Sequence, residues 1–296
     1  MVLEYYISPS TDLYYNLALE EYLVRNIDFS NRKILLIYSN DLSIVLGKNQ
    51  NVLKEINYAH FLENNIKLGR RISGGGTVVH DLGNINFAFL ESMDFKKINQ
   101  YQNSSGLIVN AINNLGVSCF LNARNAIFLN NERKISGSAQ FSCSNGVLSH
   151  LTVLFQSDLV RINQILRPNN YIIDTKASGS VSSLVDNLGN YLNISKIEFI
   201  NKTLDFLGYQ AQFNIEEVNK FDLNSLILNK YSTQEYIYDT SCNGTLSIDN
   251  ISLKFNLGKI EEVIGLENLE SYKGKRLLYD EINENNTIWT EILHKQ

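Results

Sequence analysis

Two stretches of this sequence carry residue types and spacings that could do chemistry. The first runs Arg70-Arg71-Ile72-Ser73-Gly74-Gly75-Gly76-Thr77-Val78-Val79-His80-Asp81-Leu82-Gly83-Asn84. Two arginines enter a triple glycine and a His-Asp-Leu-Gly-Asn turn follows, so cations and backbone amides converge. Glycine offers no Cβ to block a ligand and adopts positive φ freely, so such a loop can hold a phosphate. It is neither a dinucleotide fingerprint nor a P-loop, because strand-forming Thr77-Val78-Val79 follows where those motifs need a helix N-terminus. The second stretch is Lys134-Ile135-Ser136-Gly137-Ser138-Ala139-Gln140-Phe141. A strand's period of two puts Lys134, Ser136, Ser138 and Gln140 on one hydrogen-bonding face with a cation at its head. Gly137, costly inside a strand, suggests close approach of another group to the backbone.

Two histidines stand near these stretches. His80 is expected in a turn and is the better ligand contact, whereas His150, inside the apolar run Val147 to Phe155, is expected to be a satisfied core histidine. Neither has partners at metal-ligand spacing, so no protein-held metal is expected. No serine has the context of a nucleophile elbow. Glu20 and Glu21 lie in an apolar helical pattern, and the expectation is one in solvent and one paired, not a catalytic pair. Cys119, Cys143 and Cys242 are odd in number and widely spaced, which predicts reduced thiols.

The elements that must position these groups read as an α+β fold. Strands are expected at Leu3 to Ile7, Lys33 to Tyr38 and Leu42 to Leu46, with a helix from Leu13 capped by Thr11 or Asp12. The polar loop Gly47 to Asn51 follows the third strand, and a short helix is expected over Asn57 to Asn64. Leu107, Ile108, Ala111, Ile112 and Leu115 have helical spacing that stops at Gly116. Strands follow at Val117 to Phe120, Ile127 to Leu129, Lys134 to Phe141 and Val147 to Phe155, then a helix at Leu159 to Leu166. Consecutive strands with few helices between them predict a mixed, mainly antiparallel sheet packed by helices. Lys176 to Val185 reads as a small, polar, flexible loop, and a helix capped by Ser195 carries Ile197, Ile200, Leu204 and Leu207. After Lys230 the pattern changes to strands at Tyr236 to Tyr238, Thr245 to Ile248 and Ile251 to Phe255, and a helix at Ile260 to Leu269. The chain therefore divides into a large domain, 1–230, and a small accessory domain, 231–296.

Composition narrows the function classes. A net charge of -5 argues against broad nucleic-acid binding, which needs a basic face. No apolar run approaches the roughly 20 residues of a membrane span and no leader pattern opens the chain, so a cytoplasmic protein without a membrane partner is expected.

Arg70 to Asn84 and Arg133 to Ala139 resemble, in order, the RRxSGGGxVxHDxGN and (R)KxSGSA stretches of the lipoate-protein ligases, members of the biotin and lipoate protein ligase superfamily. Asn16 to Glu21 and Gly47 to Asn51 add supporting similarity. The resemblance implies a catalytic domain like those of class II aminoacyl-tRNA synthetases and biotin ligases. It implies ATP-dependent formation of lipoyl-AMP, then transfer of the lipoyl group to a lysine of an acceptor domain. By the same resemblance Lys134 contacts the lipoate carboxyl and the α-phosphate, Arg71 binds nucleotide phosphate, and Gly76, Thr77, Val78 and Val79 pack on the adenylate. Arg70, Ser73, Gly74, Gly75, His80, Asn84, Ser136, Gly137 and His150 would line the lipoate pocket. Magnesium would enter through substrate phosphates. The implied partners are lipoyl domains of 2-oxoacid dehydrogenase E2 subunits, the glycine cleavage H protein, or both, met by a monomer. The chain departs from the family pattern at Ala126, which replaces an aspartate, at Ser182 and Leu184, which replace loop arginines, and at Leu151, which replaces a glycine; Lys176 is retained. Two alternatives follow: an ATP-independent octanoyl or lipoyl transferase on the same fold, for which Cys119 has a suggestive spacing to Lys134, and a non-catalytic paralogue that binds lipoate or lipoyl domains. Cys119 itself reads as a buried strand cysteine.

Overall fold

The computed structural model describes residues 1–57, 60–61, 64, 66–93, 100–166, 171–240, 242–265 and 273–276. Strands β1 (Val2–Ile7), β2 (Arg32–Tyr38), β6 (Asn84–Glu91), β10 (Ser138–Ser142), β11 (Val147–Leu154) and β13 (Ala211–Gln212) form a six-stranded sheet in the order β10-β11-β6-β2-β1-β13. β1 runs parallel to both its neighbours and the other pairs are antiparallel, as the strand-rich sequence predicts. Alternation divides this sheet's residues between two cores. Ile34, Leu36, Ala88 and Leu90 face helix α1 (Leu13–Asn26), while Leu35, Ile37, Phe87 and Phe89 face α3 (Gln100–Asn114) and α5 (Lys196–Leu207).

Helix α1 is covered almost all round, because Leu13, Leu17, Leu19, Leu23 and Val24 are buried on several faces. Asp12 caps it by accepting from the Tyr15 amide at 2.8 Å, one of the two caps expected. Total coverage forces its polar residues to find partners, and both glutamates do. Glu20 and Glu21 are 1% and 3% exposed, so neither stands in solvent, contrary to the sequence expectation. Glu21 pairs with Arg25 at 2.7 Å and Lys230 at 2.6 Å, and it accepts from the Tyr231 hydroxyl.

Two small sheets flank the large one. β3 (Ser43–Leu46) lies between β4 (Lys67–Arg70) and β5 (Val78–His80), so β2 and β3, adjacent in sequence, belong to different sheets. β7 (Cys119–Leu121), β8 (Ile127–Leu129) and β9 (Lys134–Ser136) form an antiparallel sheet. The single strand expected from Lys134 to Phe141 thus breaks at Gly137: β9 pairs with β8, and β10 pairs with β11. Lys134 and Ser136 therefore do not share a face with Ser138 and Gln140. Gly137 makes the crossing, its carbonyl accepting from the Thr152 amide at 3.0 Å.

Helix α2 (Val52–Glu55) precedes the helix expected over Asn57 to Asn64, which lies largely outside the described residues. α4 (Leu159–Ile165) matches its expectation. The C-terminal sheet has the order β12 (Ile172–Asp174), β14 (Gly244–Ile248), β15 (Ile251–Asn256), β16 (Lys259–Ile264). Its first strand comes from before residue 230, and its core residues Leu246, Leu253 and Phe255 continue into Ile44, Leu46 and Val52 of the large domain. A helical run from α6 (Lys220–Leu226) through turns at Ile227–Tyr231 and Glu235–Asp239 spans the boundary drawn at 230. Tyr236 to Tyr238 is thus helical turn, not strand, and its carbonyls turn inward to a buried arginine. Ile260 to Ile264 is strand, not helix, because Leu257 and Gly258, both at positive φ, return the chain in a tight hairpin; residues 266–269 lie outside the described set.

Candidate active site

A cavity of about 720 Å³ opens on the α1 face of the six-stranded sheet. Its floor is a polar patch set by register: Tyr38 lies opposite Asn86, Asn86 opposite Thr152, and His150 opposite Ala139. Arg71, Gly75, Gly76, Thr77, Val78 and His80 form another wall, and Lys134, Gly137 and Ser138 a third. A second cavity of about 540 Å³ shares Thr77, Val78, Lys134, Gly137 and Ser180 and adds Val79, Ser136, Glu55, Leu154 and Ile162. Lys134 stands where the two meet. The sheet change at Gly137 puts it there, at the start of β9 and beside a position where a built Cβ would lie 3.5 Å from its Nζ.

The triple glycine is shaped from beneath by Arg71. Its guanidinium donates to the carbonyls of Val45 at 3.2 Å, Gly74 at 2.6 Å and Gly76 at 2.8 Å, and to Ser73 Oγ at 3.0 Å. Gly75 has φ of +88°, and a Cβ there would stand 3.0 Å from that guanidinium, so glycine is required. Gly76 admits Ser180, whose hydroxyl accepts from the Thr77 amide at 2.9 Å and donates to Glu55 in a short hydrogen bond. The segment expected to be a flexible polar loop, 176–185, is accordingly tied down. Lys54 donates to the Ala177 carbonyl, the Ser180 amide to Glu55, and the Lys134 amide to the Leu184 carbonyl at 2.8 Å.

Beneath the glycines runs a chain of buried side chains not foreseen from the sequence. Glu20 accepts from the Tyr38 hydroxyl at 2.9 Å and lies 2.9 Å from His150 Nδ1. His150 Nε2 is 2.7 Å from Ser73 Oγ, which also accepts from Arg71 Nε. A carboxylate at Nδ1 keeps a proton on that nitrogen, and Nε2 completes the chain to Ser73. His150 is a satisfied histidine, as expected, and also lines the first cavity. The only sequence signal for the network was two glutamates in a helix too apolar to leave them in water.

Electrostatics sharpen the arrangement. Burial pushes the Lys134 ammonium below the ordinary lysine range, and Arg124 on the same wall adds to the shift. Among the described residues Lys134 has no carboxylate partner. Burial lowers the Arg71 guanidinium to about 10, so it stays charged at neutral pH. His80 ends strand β5 instead of sitting in a turn; burial, then Arg71 and His150, push it down to about 3, so it is neutral.

Other residues singled out in the sequence take different places. Arg70 lines neither cavity: it is fully buried, and its guanidinium donates to the carbonyls of Gly47, Lys48, Gln50, Tyr236 and Ile237. Ser73 and Gly74 lie behind the cavity walls, and Asn84 donates to Asn86 from below. Val79 and Ser136 line only the second cavity. Cys119 is buried, lines neither cavity, and its thiol is pushed up to about 11 by burial. Among the described residues no cluster of three His, Cys, Asp or Glu could hold a metal ion. Glu55, the carboxylate in the second cavity, has both oxygens engaged by Ser180 and Thr77. No described helix is long and apolar enough to cross a membrane.

Comparison with known proteins gives one answer. The family described as lipoyl protein ligase A/B catalytic domain matches residues 12–208. Lipoate-protein ligase LplJ of Bacillus subtilis (strain 168) is 33% identical over 268 residues, covering 88% of this chain and 78% of that protein. Among solved structures, a lipoate protein ligase from Thermoplasma acidophilum with bound lipoic acid superposes with a TM-score of 0.66 at 24% identity, covering 80% of this chain and 98% of that one. A lipoate-protein ligase A bound with ATP gives a TM-score of 0.66 at 24% identity, covering 81% and 98%.

Proposed function

The chain belongs to the lipoyl protein ligase A/B family, and we propose on that premise how its residues carry out ATP-dependent lipoylation. It is a ligase that activates lipoate with ATP and passes the lipoyl group to a lysine of an acceptor protein. In the first step a lipoate carboxylate oxygen attacks the α-phosphorus and the bond to pyrophosphate breaks, giving lipoyl-AMP. In the second, the acceptor amine attacks the acyl carbonyl, AMP leaves and the amine loses a proton.

One observation carries the assignment of roles: an ammonium that, among the described residues, has no carboxylate partner where two cavities meet. We assign the acyl chain to the first cavity and the nucleoside to the second, against Val79, Leu154 and Ile162. Lys134 then faces the carboxyl and the α-phosphate together, and its three N–H donors stabilise charge that builds on the phosphoryl oxygens. A partly dehydrated cation acts more strongly there than one in water. Arg71 holds the glycine turn and adds positive potential behind it. Magnesium is assigned to phosphate oxygens alone, since among the described residues no cluster of His, Cys, Asp or Glu offers it a cage. Acceptors are lipoyl domains of E2 subunits or the glycine cleavage H protein, modified by a cytoplasmic monomer.

The test combines pyrophosphate release with lipoate and ATP, acyl transfer to a lipoyl domain, and the same transfer from an octanoyl carrier protein without ATP. The proposal expects the first two and expects Cys119→Ala to retain both. Transfer from the carrier alone, abolished in Cys119→Ala, would replace the ligase by a transferase.

A further inference from the structure

The orientation of His80 follows from a relay of side-chain amides behind it. Ser8 Oγ donates to Asn16 Oδ1 at 2.7 Å, which fixes the Asn16 amide; its Nδ2 donates to the Ser10 carbonyl and to Asn40 Oδ1, each at 2.8 Å. With Asn40 Oδ1 occupied, its Nδ2 is the group facing His80 Nδ1, at 3.0 Å. An amide nitrogen can only donate, so Nδ1 accepts and the proton of the neutral ring sits on Nε2. That Nε2 is buried and, among the described residues, has no hydrogen-bond partner. His80 is 3% exposed and lines the first cavity, Val79 lines the second, and Val78 lines both.

Position along the strand says which part of a ligand meets this donor. The carboxyl end is assigned to Lys134, which lines both cavities together with Thr77. From Thr77 to His80 the chain advances three residues, roughly 10 Å at the rise of a strand. The apolar residues Leu17, Val45 and Ala139 also line this cavity, so a fixed neutral donor sits among surfaces suited to an aliphatic tail. Such a donor suits a weak, uncharged acceptor, and a ring sulfur qualifies where a methyl group does not.

We propose that His80 is a specificity-determining residue: its Nε2–H donates to a dithiolane sulfur, so the enzyme selects a sulfur-containing acid over an alkanoic acid of the same shape. This rests on the assignment of lipoate to the first cavity. A tail without sulfur lacks this hydrogen bond and binds about 5-fold or more weakly than lipoate.

The probes are lipoate and 5-cyclopentylpentanoate, in which methylene groups replace the ring sulfurs and the shape is kept. Specificity constants for ATP-dependent pyrophosphate release are compared in the wild type and in His80→Leu, alongside 15N spectra of histidine-labelled wild-type protein titrated with each acid. The expected result is a preference for lipoate of about 5-fold or more in the wild type, falling to near parity in His80→Leu, and a shift of the protonated Nε2 resonance with lipoate only. Equal use of both acids by the wild type, or an undiminished preference in His80→Leu, overturns the role of His80 and leaves the ligase assignment standing. Failure of the wild type to activate either acid overturns the ligase assignment and this inference with it. Should His80→Leu not fold, the wild-type ratio and the wild-type spectra still decide.

Discussion

Replacing Lys134 by methionine should stabilise the free protein while disabling it. The ammonium is partly buried, has no carboxylate partner among the described residues, and shares its wall with Arg124. Its dehydration in the absence of ligand is therefore largely uncompensated, and a side chain of similar length and no charge removes that cost. The expected gain is on the order of 1 kcal/mol, or a rise in Tm of about 2 °C for a chain of this size. Sign and pH dependence follow from linkage. The folded pKa of Lys134 lies below its unfolded value, so between the two the unfolded chain holds more protons and wild-type stability rises with pH. The advantage of Lys134→Met is thus full at neutral pH and shrinks in the alkaline range as the wild-type lysine deprotonates. Adenylation should fall about 100-fold to 1000-fold, the usual consequence of losing one donor aimed at developing charge. Urea unfolding at neutral and alkaline pH and lipoate-dependent ATP–pyrophosphate exchange measure the two effects. A variant that is destabilised at neutral pH, or that exchanges within about tenfold of wild type, would refute the picture of a cation held in reserve for an anionic ligand.

Three further substitutions probe what surrounds that cation. Glu20→Gln exchanges a buried charge-assisted bond to His150 for a neutral one; stability should drop by about 2 kcal/mol in urea titrations, and the His150 proton should move from Nδ1 in 15N spectra. Arg70→Met leaves five carbonyls without their donor, so a loss of about 3–5 kcal/mol is expected, with faster amide exchange across Glu235–Asp239. Glu55→Gln weakens the attachment of Ser180, so protease cleavage within 177–185 should speed up and the KM for ATP should rise, while global unfolding changes by less than about 1 kcal/mol.

The elements and the cation were legible in the sequence for definite reasons. Helix α1 with its Asp12 cap, the apolar run that forms β11, and the Ser195-capped helix follow from period and capping, which are local. What was not legible depended on which surface a residue meets. Arg70 and Arg71 are identical letters, yet as the last residue of β4 and its neighbour they point oppositely, one into carbonyls from Tyr236 and Ile237 and the other under the glycines. The break at Gly137 depends on β8 and β11 competing for one strand, which no window of ten residues contains. The Glu20–His150–Ser73 network joins residues 130 and 77 positions apart, so its members look like isolated polar residues until the sheet brings them together. Tyr236 to Tyr238 alternates like a strand, but carbonyls needed by a buried guanidinium favour a helical turn.

The loop substitutions at Ser182 and Leu184 make physical sense once the docking of 176–185 is considered. A loop that carries arginines to an anion must be ordered by that anion, and the ordering entropy reduces affinity. Here much of the ordering is supplied beforehand: Ser180 lies between Glu55 and the Thr77 amide, and Leu184 is bonded to the Lys134 backbone. The last contact matters most, because it ties the backbone of the cation-bearing residue to the loop that covers it. Positive charge then comes from groups fixed by the scaffold, Lys134 and Arg71, with Arg124 on the cavity wall. Such a site gives up the extra attraction of mobile arginines and gains a cover that is largely in place before substrate arrives. On the proposed assignment, exclusion of water around the acyl-phosphate junction depends on the loop's hydrogen bonds to Glu55 and the Lys134 main chain.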